Sequence, residues 1–209
     1  MKKSEVRLSE NGRELYGVLI EPEGEGKFPT IIFSHGYNGS GRDFEWLGEH
    51  LARHGVAAFC YDFCGGSVNS RSSMATTDMT IFTEKEDLHS VLRFMKENGA
   101  ADARNIFLFG GSQGGLVSAL AAEEAKDDVR GLLLLFPAMC IADNWNKRFP
   151  EEKDIPAVQE LWGMNLGKKF FSTLRGFDVY QQIGGYGRSV RVIYGEDDPI
   201  VSLESMERL

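Results

Sequence analysis

Gly110-Gly111-Ser112-Gln113-Gly114 sets a serine between glycines in a GxSxG arrangement. A serine alcohol becomes a useful nucleophile only when a neighbouring base takes its proton and hydrogen-bond donors receive the charge that develops on the attacked carbonyl. The pattern offers one such donor directly. A helix starting at Gln113 has no intrahelical acceptor for its first N–H groups and turns its positive end toward Ser112, so the Gln113 N–H is the first candidate for an oxyanion hole. Gly110 and Gly114 have a steric explanation, because side chains two residues either side of the serine would crowd a strand-to-helix turn.

The second donor is expected from His35-Gly36-Tyr37-Asn38-Gly39, the loop after the apolar run 30–34, and is assigned to the Tyr37 N–H. His35 is expected to tie this loop down rather than to carry protons. Near the other end, VRVIYGEDDPIV places Asp197 and Asp198 just beyond an apolar run at 190–194. One carboxylate there could orient a histidine toward Ser112; Asp198 is favoured, with Asp197 left to the turn.

These residues need elements to hold them. Residues 4–9 and 15–20 read as short strands joined at Asn11-Gly12, a dipeptide suited to a tight hairpin. The runs 30–34, 56–61, 105–110, 131–136 and 190–194 are continuously apolar, as strands buried on both faces are. Between them, 43–54 carries Phe44, Leu47 and Leu51 on one stripe and stops at Gly55. Residues 84–97 follow a Thr83/Glu86 capping box and carry Leu88, Val91, Leu92 and Met95, and a third helix covers roughly 113–125. This order predicts an α/β fold: a mostly parallel central sheet with helices on both faces and an antiparallel N-terminal edge. Residues 137–189 break the rhythm. They hold Trp145, Phe149, Trp162, Phe170, Phe171, Phe177 and Tyr180 and three prolines, and read as a helical insertion that could form a lid over the site or an ordinary packed layer.

Length and composition narrow the function. At roughly 100–200 residues per domain, 209 residues make a single domain, and 42% hydrophobic residues supply a core. Acidic residues outnumber Lys and Arg by 31 to 23, a net charge of −8, which opposes a polyanion-binding surface and excludes nucleic acid as a partner. No run approaches the ~20 apolar residues of a membrane span, and no signal peptide is visible. Cys60, Cys64 and Cys140 form no CxxC pair and are odd in number, so a reducing cytoplasm is the expected compartment. His50 and His54 lie four apart, yet no HExxH and no third ligand accompany them; together with His89 they read as surface or helix-packing residues, and no metal is expected. Neither GxxxxGK[ST] nor GxGxxG occurs, Cys64-Gly65-Gly66 included, so no nucleotide cofactor is expected.

Taken together, HGYNG at 35–39, YDFCGGSVNS at 61–70, TTDMT at 76–80, TEKEDL at 83–88, GGSQGG at 110–115 and GEDDPIV at 195–201 resemble the α/β-hydrolase superfamily, nearest the cinnamoyl or feruloyl esterase group. The resemblance covers essentially the whole chain. It implies a serine carboxylesterase acting through an acyl-enzyme on small esters, hydroxycinnamoyl ones among them, with Ser112 as nucleophile, Asp198 as acid, and the Tyr37 and Gln113 amides as oxyanion hole. It also implies a lid over an aromatic acyl group, with Asp143 contacting a ring hydroxyl. The superfamily order is serine, acid, histidine, whereas His35, His50, His54 and His89 all precede Ser112. The expectation is therefore a fold whose last strand and helix, with the catalytic histidine, are missing, whose open edge invites homo-oligomers, and whose activity is weak. Two other readings stay open: a non-catalytic module binding a small ligand or protein, and a serine peptidase or thioesterase of the same fold.

Overall fold

Lys2–Glu10 (β1) and Arg13–Glu21 (β2) pair antiparallel, with Lys2 opposite Glu21 and Glu10 opposite Arg13. The computed structural model describes every residue except Asn11 and Asn98. The expected Asn11-Gly12 turn thus lies partly outside the described residues; Gly12 takes a φ of +76°, which costs glycine little. Then follow Phe28–Ser34 (β3), Arg42–Ala52 (α1), Ala57–Tyr61 (β4), Ile81–Glu97 (α2), Ala101–Gly111 (β5), Gln113–Glu124 (α3) and Gly131–Leu135 (β6). Next come Ile141–Arg148 (α4), Val158–Leu161 (β7), Met164–Gly167 (β8), Lys168–Ser172 (α5) and Val179–Gln182 (α6). Ser189–Ile193 (β9) and Leu203–Glu207 (α7) complete the order.

The seven-stranded sheet runs β1-β2-β4-β3-β5-β6-β9, with β3, β4, β5, β6 and β9 parallel. Helix α1 covers one face, where Phe33, Ala58, Cys60 and Phe109 are buried; α2 and α3 cover the other, over Ile32, Phe59, Leu108 and Leu132. Burial between helices is why β3, β4, β5 and β6 read as unbroken apolar runs, whereas β9, expected to be buried likewise, lies at the sheet edge with Arg191, Val192 and Ile193 exposed. Strand order reverses between β3 and β5. Ser34 lies opposite Gly110 at their C-terminal ends, so the loops that follow diverge around a crevice, the usual ligand position in open α/β sheets. Among the described residues no helix is long and apolar enough to cross a membrane.

Three expectations need correction. The last strand and helix are not missing: β9 pairs parallel with β6, Leu132 opposite Val190, and α7 follows, capped by the Ser202 hydroxyl accepting from the Ser205 N–H and anchored by buried Val201 and Met206. This helix spans Leu203–Glu207, little more than one turn. The insertion is not purely helical, since β7 and β8 form a separate two-stranded ribbon whose turn places Trp162 and Gly163 at positive φ. Four-residue strands are too short to show a period against their aromatic neighbours. Finally, α2 begins at Ile81. Thr80 and Thr83 cap it reciprocally, each hydroxyl accepting from the other's N–H at 2.9–3.0 Å, while Glu86 pairs with Arg13.

Candidate active site

Ser112 stands between the end of β5 and the first residue of α3 with φ 51° and ψ −119°, a conformation a non-glycine residue holds only when its surroundings impose it. They do so through backbone contacts. The Ser112 N–H donates to Leu135 O at 2.9 Å, and its carbonyl accepts from the Gly115 and Ala138 N–H groups, each at 2.9 Å. A methyl group on Gly110 would lie 2.2 Å from Gly114 O, and one on Gly114 would lie 2.3 Å from Ser34 O. The glycine spacing is therefore a packing requirement between the two strands and the helix that meet at the turn.

The loop after β3 closes over the same point. A methyl on Gly36 would sit 3.3 Å from Ser112 Cβ, which brings the Gly36–Tyr37 peptide against the nucleophile. Neither the Tyr37 N–H nor the Gln113 N–H is engaged in a turn, loop or cap hydrogen bond among the described residues. His35 is fully buried: its Nε2 accepts from the Phe63 N–H at 3.0 Å, which leaves Nδ1 protonated and donating to Gly36 O at 2.8 Å. Burial lowers its pKa and keeps the ring neutral. Both ring nitrogens are thus committed to the loop.

Gln113 is 3% exposed, and its Nε2 donates to Glu84 Oε2 at 2.8 Å. Burial pushes Glu84 up to about 8, against the opposing hydrogen bond from Gln113. One turn on, burial pushes Asp87 up to about 7, although it accepts from the Cys64 N–H at 2.8 Å and lies 3.4 Å from the Arg13 guanidinium. Neither acid stands out in the sequence beside the apolar residues of α2. The signal was present: positions 84, 88, 91 and 95 share one helical face, which puts Glu84 on the stripe of Leu88, Val91 and Met95.

A cavity of about 270 Å³ opens at Ser112, floored by Tyr37 and Gln113 and walled by Ile141, Trp145, Leu166, Phe170 and Ile200, with Trp162 at the ribbon turn. The Tyr37 hydroxyl donates to Leu161 O at 3.0 Å, and the Asn38 amide to Trp162 O at 3.3 Å, so the loop that supplies an oxyanion donor also holds the β7–β8 ribbon. Asn144, Cys140 and Arg148 also line the cavity, and the sequence had flagged none of them for it; among the lining residues Arg148 alone is charged.

Of the other residues singled out, Asp198 bends the chain after β9, its Oδ1 accepting from the Ile200 and Val201 N–H groups at 2.8 and 2.9 Å, and so turns Ile200 into the cavity wall. Asp143 does not line the cavity: its carboxylate takes an ion pair from Arg208 at 2.9 Å, and the neighbouring Asn144 faces the space instead. His54 bonds His50 O, and His89 bonds Glu124 at 2.8 Å on the outer side of α2 and α3. No histidine lines the cavity. Among the described residues no group of three His, Cys, Asp or Glu side chains could hold a metal ion.

Residues 27–176 match the family described as Serine aminopeptidase, S33. The chain belongs to this family. The strained serine between β5 and α3 and the reversal of strand order beside it both lie within the matched residues. Among solved structures, the chain resembles Est1E from Butyrivibrio proteoclasticus with ferulic acid bound, at a TM-score of 0.87 and 24% identity over 97% of this chain and 83% of that one. It also resembles alpha/beta hydrolase domain-containing protein 10 from mouse (TM-score 0.79, 19% identity, 98% and 82% covered). The α/β hydrolase GrgF from Penicillium sp. sh18 is a further likeness (0.79, 16%, 99% and 84%). These likenesses establish the α/β-hydrolase fold. Monoglyceride lipase of Rattus norvegicus is 27% identical over 130 residues, 62% of this chain and 41% of that protein, so the chain spans about two fifths of that relative's length.

Proposed function

We propose that this protein is a serine hydrolase that cleaves small carboxylic esters through an acyl-enzyme, with hydroxycinnamoyl esters as the favoured acyl class. The observation that carries this reading is Ser112 on a strained turn, beside two unengaged amides, at the floor of an aromatic-walled cavity. Ser112 Oγ attacks the ester carbonyl and gives up its proton. The carbonyl oxygen becomes an oxyanion held by the Tyr37 and Gln113 N–H groups; the C–O bond to the alcohol breaks, the alcohol leaves protonated, and water then releases the acid.

The proton acceptor must be a histidine or an equivalent base within reach of Oγ, with Asp198, beyond the C-terminal end of β9 on the Ser112 side of the sheet, as its orienting carboxylate. None of the four histidines stands there: His35 is locked beside its loop, His50 lies on α1, His54 in the turn after α1, and His89 on α2. Ser112 of these 209 residues is therefore expected to be acylated by activated esters but to turn over slowly.

The family's description and the ferulic acid bound to Est1E point to different substrates, an amide of an amino acid and an aromatic ester. The cavity favours the ester. An α-ammonium group is best held by a carboxylate, and the charged residue among those lining the cavity is the cation Arg148, which repels it. Trp145, Phe170 and Trp162 suit a flat aromatic acyl group.

Acylation by feruloyl, short-chain and long-chain aryl esters and by an aminoacyl anilide, followed by intact-protein mass, tests the reading. Feruloyl and short-chain adducts are expected on the wild type and none on Ser112→Ala. Adducts that survive in Ser112→Ala reject the nucleophile, and a preference for the anilide rejects the substrate class.

A further inference from the structure

Glu84 is a buried carboxyl that the chemistry above does not use. It lies 1% exposed on α2, and among the described residues the side chain it hydrogen-bonds is that of Gln113, at 2.8 Å. Gln113 is also the first residue of α3, and its N–H is a proposed oxyanion donor. The direction of that N–H depends on the peptide joining Ser112 to Gln113, and Ser112 already sits outside the ordinary backbone wells. The Ser112 amide and carbonyl are fixed by Leu135, Gly115 and Ala138. The Ser112 carbonyl and the Gln113 N–H share one planar peptide, so those bonds orient the amide from the carbonyl side, and the side-chain bond to Glu84 adds a further constraint at Gln113 itself.

We propose that Glu84 is a positioning residue: by holding the buried Gln113 side chain it fixes the first turn of α3, so that the Gln113 N–H stays aimed at the reacting carbonyl oxygen. This rests on the assignment of Ser112 and of the Gln113 N–H made above. The surroundings suit the role. A methyl on Gly66 would stand 3.1 Å from Glu84 Oε1 and 3.2 Å from His35 Cε1, so the acid and the histidine that ties down the Tyr37 loop flank the same glycine. Gly66 thus stands between the carboxyl that holds Gln113 and the histidine at the start of the Tyr37 loop.

The charge state of Glu84 then bears on the reaction. Facing it are Asp87 from its own helix, Arg13 of β2 through its pair with Asp87, neutral His35 and the Gln113 amide. With its pKa pushed up to about 8 by burial, Glu84 is neutral near pH 7 and accepts the Gln113 hydrogen bond without opposing the oxyanion. At higher pH it becomes an anion beneath the turn and works against the same charge development.

The test uses the full chain, with the p-nitrophenolate burst from p-nitrophenyl acetate as the measure of Ser112 acylation and the Gln113 amide resonance as a measure of position that needs no chemistry. Glu84→Gln keeps an acceptor for the Gln113 amide; Glu84→Met removes it. The expected result for Glu84→Met is a fall of up to about a hundredfold in the acylation rate with KM little changed, and a broadened Gln113 amide beside a sharp one at the far end of α3. Glu84→Gln should acylate within about threefold of wild type at pH 7 and escape the decline that wild type shows above about pH 8. Acylation by Glu84→Met at the wild-type rate, or an unperturbed Gln113 amide in it, overturns the proposal. If Glu84→Met does not fold, the pH profiles decide: identical wild-type and Glu84→Gln curves overturn it. A wild-type burst that persists in Ser112→Ala rejects the hydrolase reading instead, and the Gln113 amide still reports on whether Glu84 positions it.

Discussion

The nucleophile turn and the acid turn both follow parallel strands at the same edge of the sheet, and they are held in different ways. Ser112 is fixed from outside: β6 and the loop after it bond its backbone, Gly36 of the β3 loop presses on its Cβ, and Gly110 and Gly114 leave no room for a methyl group. Asp198 is fixed from within its own segment, by bonds to residues two and three further on, in a stretch that is exposed from Arg191 to Asp197. A site residue whose geometry is strained needs neighbours on every side. A carboxylate that only has to present its charge can rely on a local turn.

A paired glycine substitution gives the largest expected contrast. Gly114→Ala drives a methyl to 2.3 and 2.4 Å from the backbone oxygens of Ser34 and His35, which cannot yield without moving the sheet. Urea unfolding should show a loss of more than about 3 kcal/mol, and a loss below about 1 kcal/mol would mean that the elbow is softer than its contacts imply. The acid-turn counterpart, Gly195→Ala, meets nothing within 4 Å and should fall within about 0.5 kcal/mol of wild type.

The buried acids behind the nucleophile turn give the next effect. Glu84 and Asp87 have pKa values raised by folding to about 8 and about 7, so from about pH 4 to 8 the native state holds more protons than the unfolded chain. Their contribution is fully present at the low end of that window and is lost as pH rises through it, on the order of a few kcal/mol. Asp62 acts in the opposite sense: burial raises it, but hydrogen bonds from Arg71 and from the Gly41 N–H hold it below the ordinary carboxylate range, so its contribution is lost in acid. Urea midpoints measured between pH 4 and 9 should fall toward the alkaline side, and less steeply in Glu84→Gln. A flat curve would show that the two acids do not keep their protons in the native state.

The smallest effect belongs to the acid turn itself. Asp198→Ala removes one oxygen that accepts two N–H groups at an exposed site, an expected cost of about 1 kcal/mol. Hydrogen exchange should quicken at Ile200 and Val201 and remain unchanged at Ser112 and Gly115. Faster exchange at the nucleophile turn would join two regions that the contacts keep separate.

Much of this was legible in the chain. The apolar runs that became β3, β4, β5 and β6 announced strands buried between helices, and GGSQGG announced a turn in which side chains would collide, because both signals are local in sequence; the run at 190–194 gave a strand too, but an exposed one at the sheet edge. The start of α2 was misjudged by three residues, since a threonine pair caps as well as a Thr/Glu pair and only the observed bonds tell them apart. The β7–β8 ribbon and the pairing of β9 with β6 were settled by contact with other segments, and four-residue strands such as β7 and β8 are too short to show a period. Asp143 was turned from the cavity by Arg208, 65 residues away in the chain, and Glu84 was brought to Gln113 from 29 away. Residue types and local spacing determine which chemistry is available and where a turn must be tight. Which side chains meet is decided by the packing of helices against the sheet, because burial brings together groups that the chain keeps far apart.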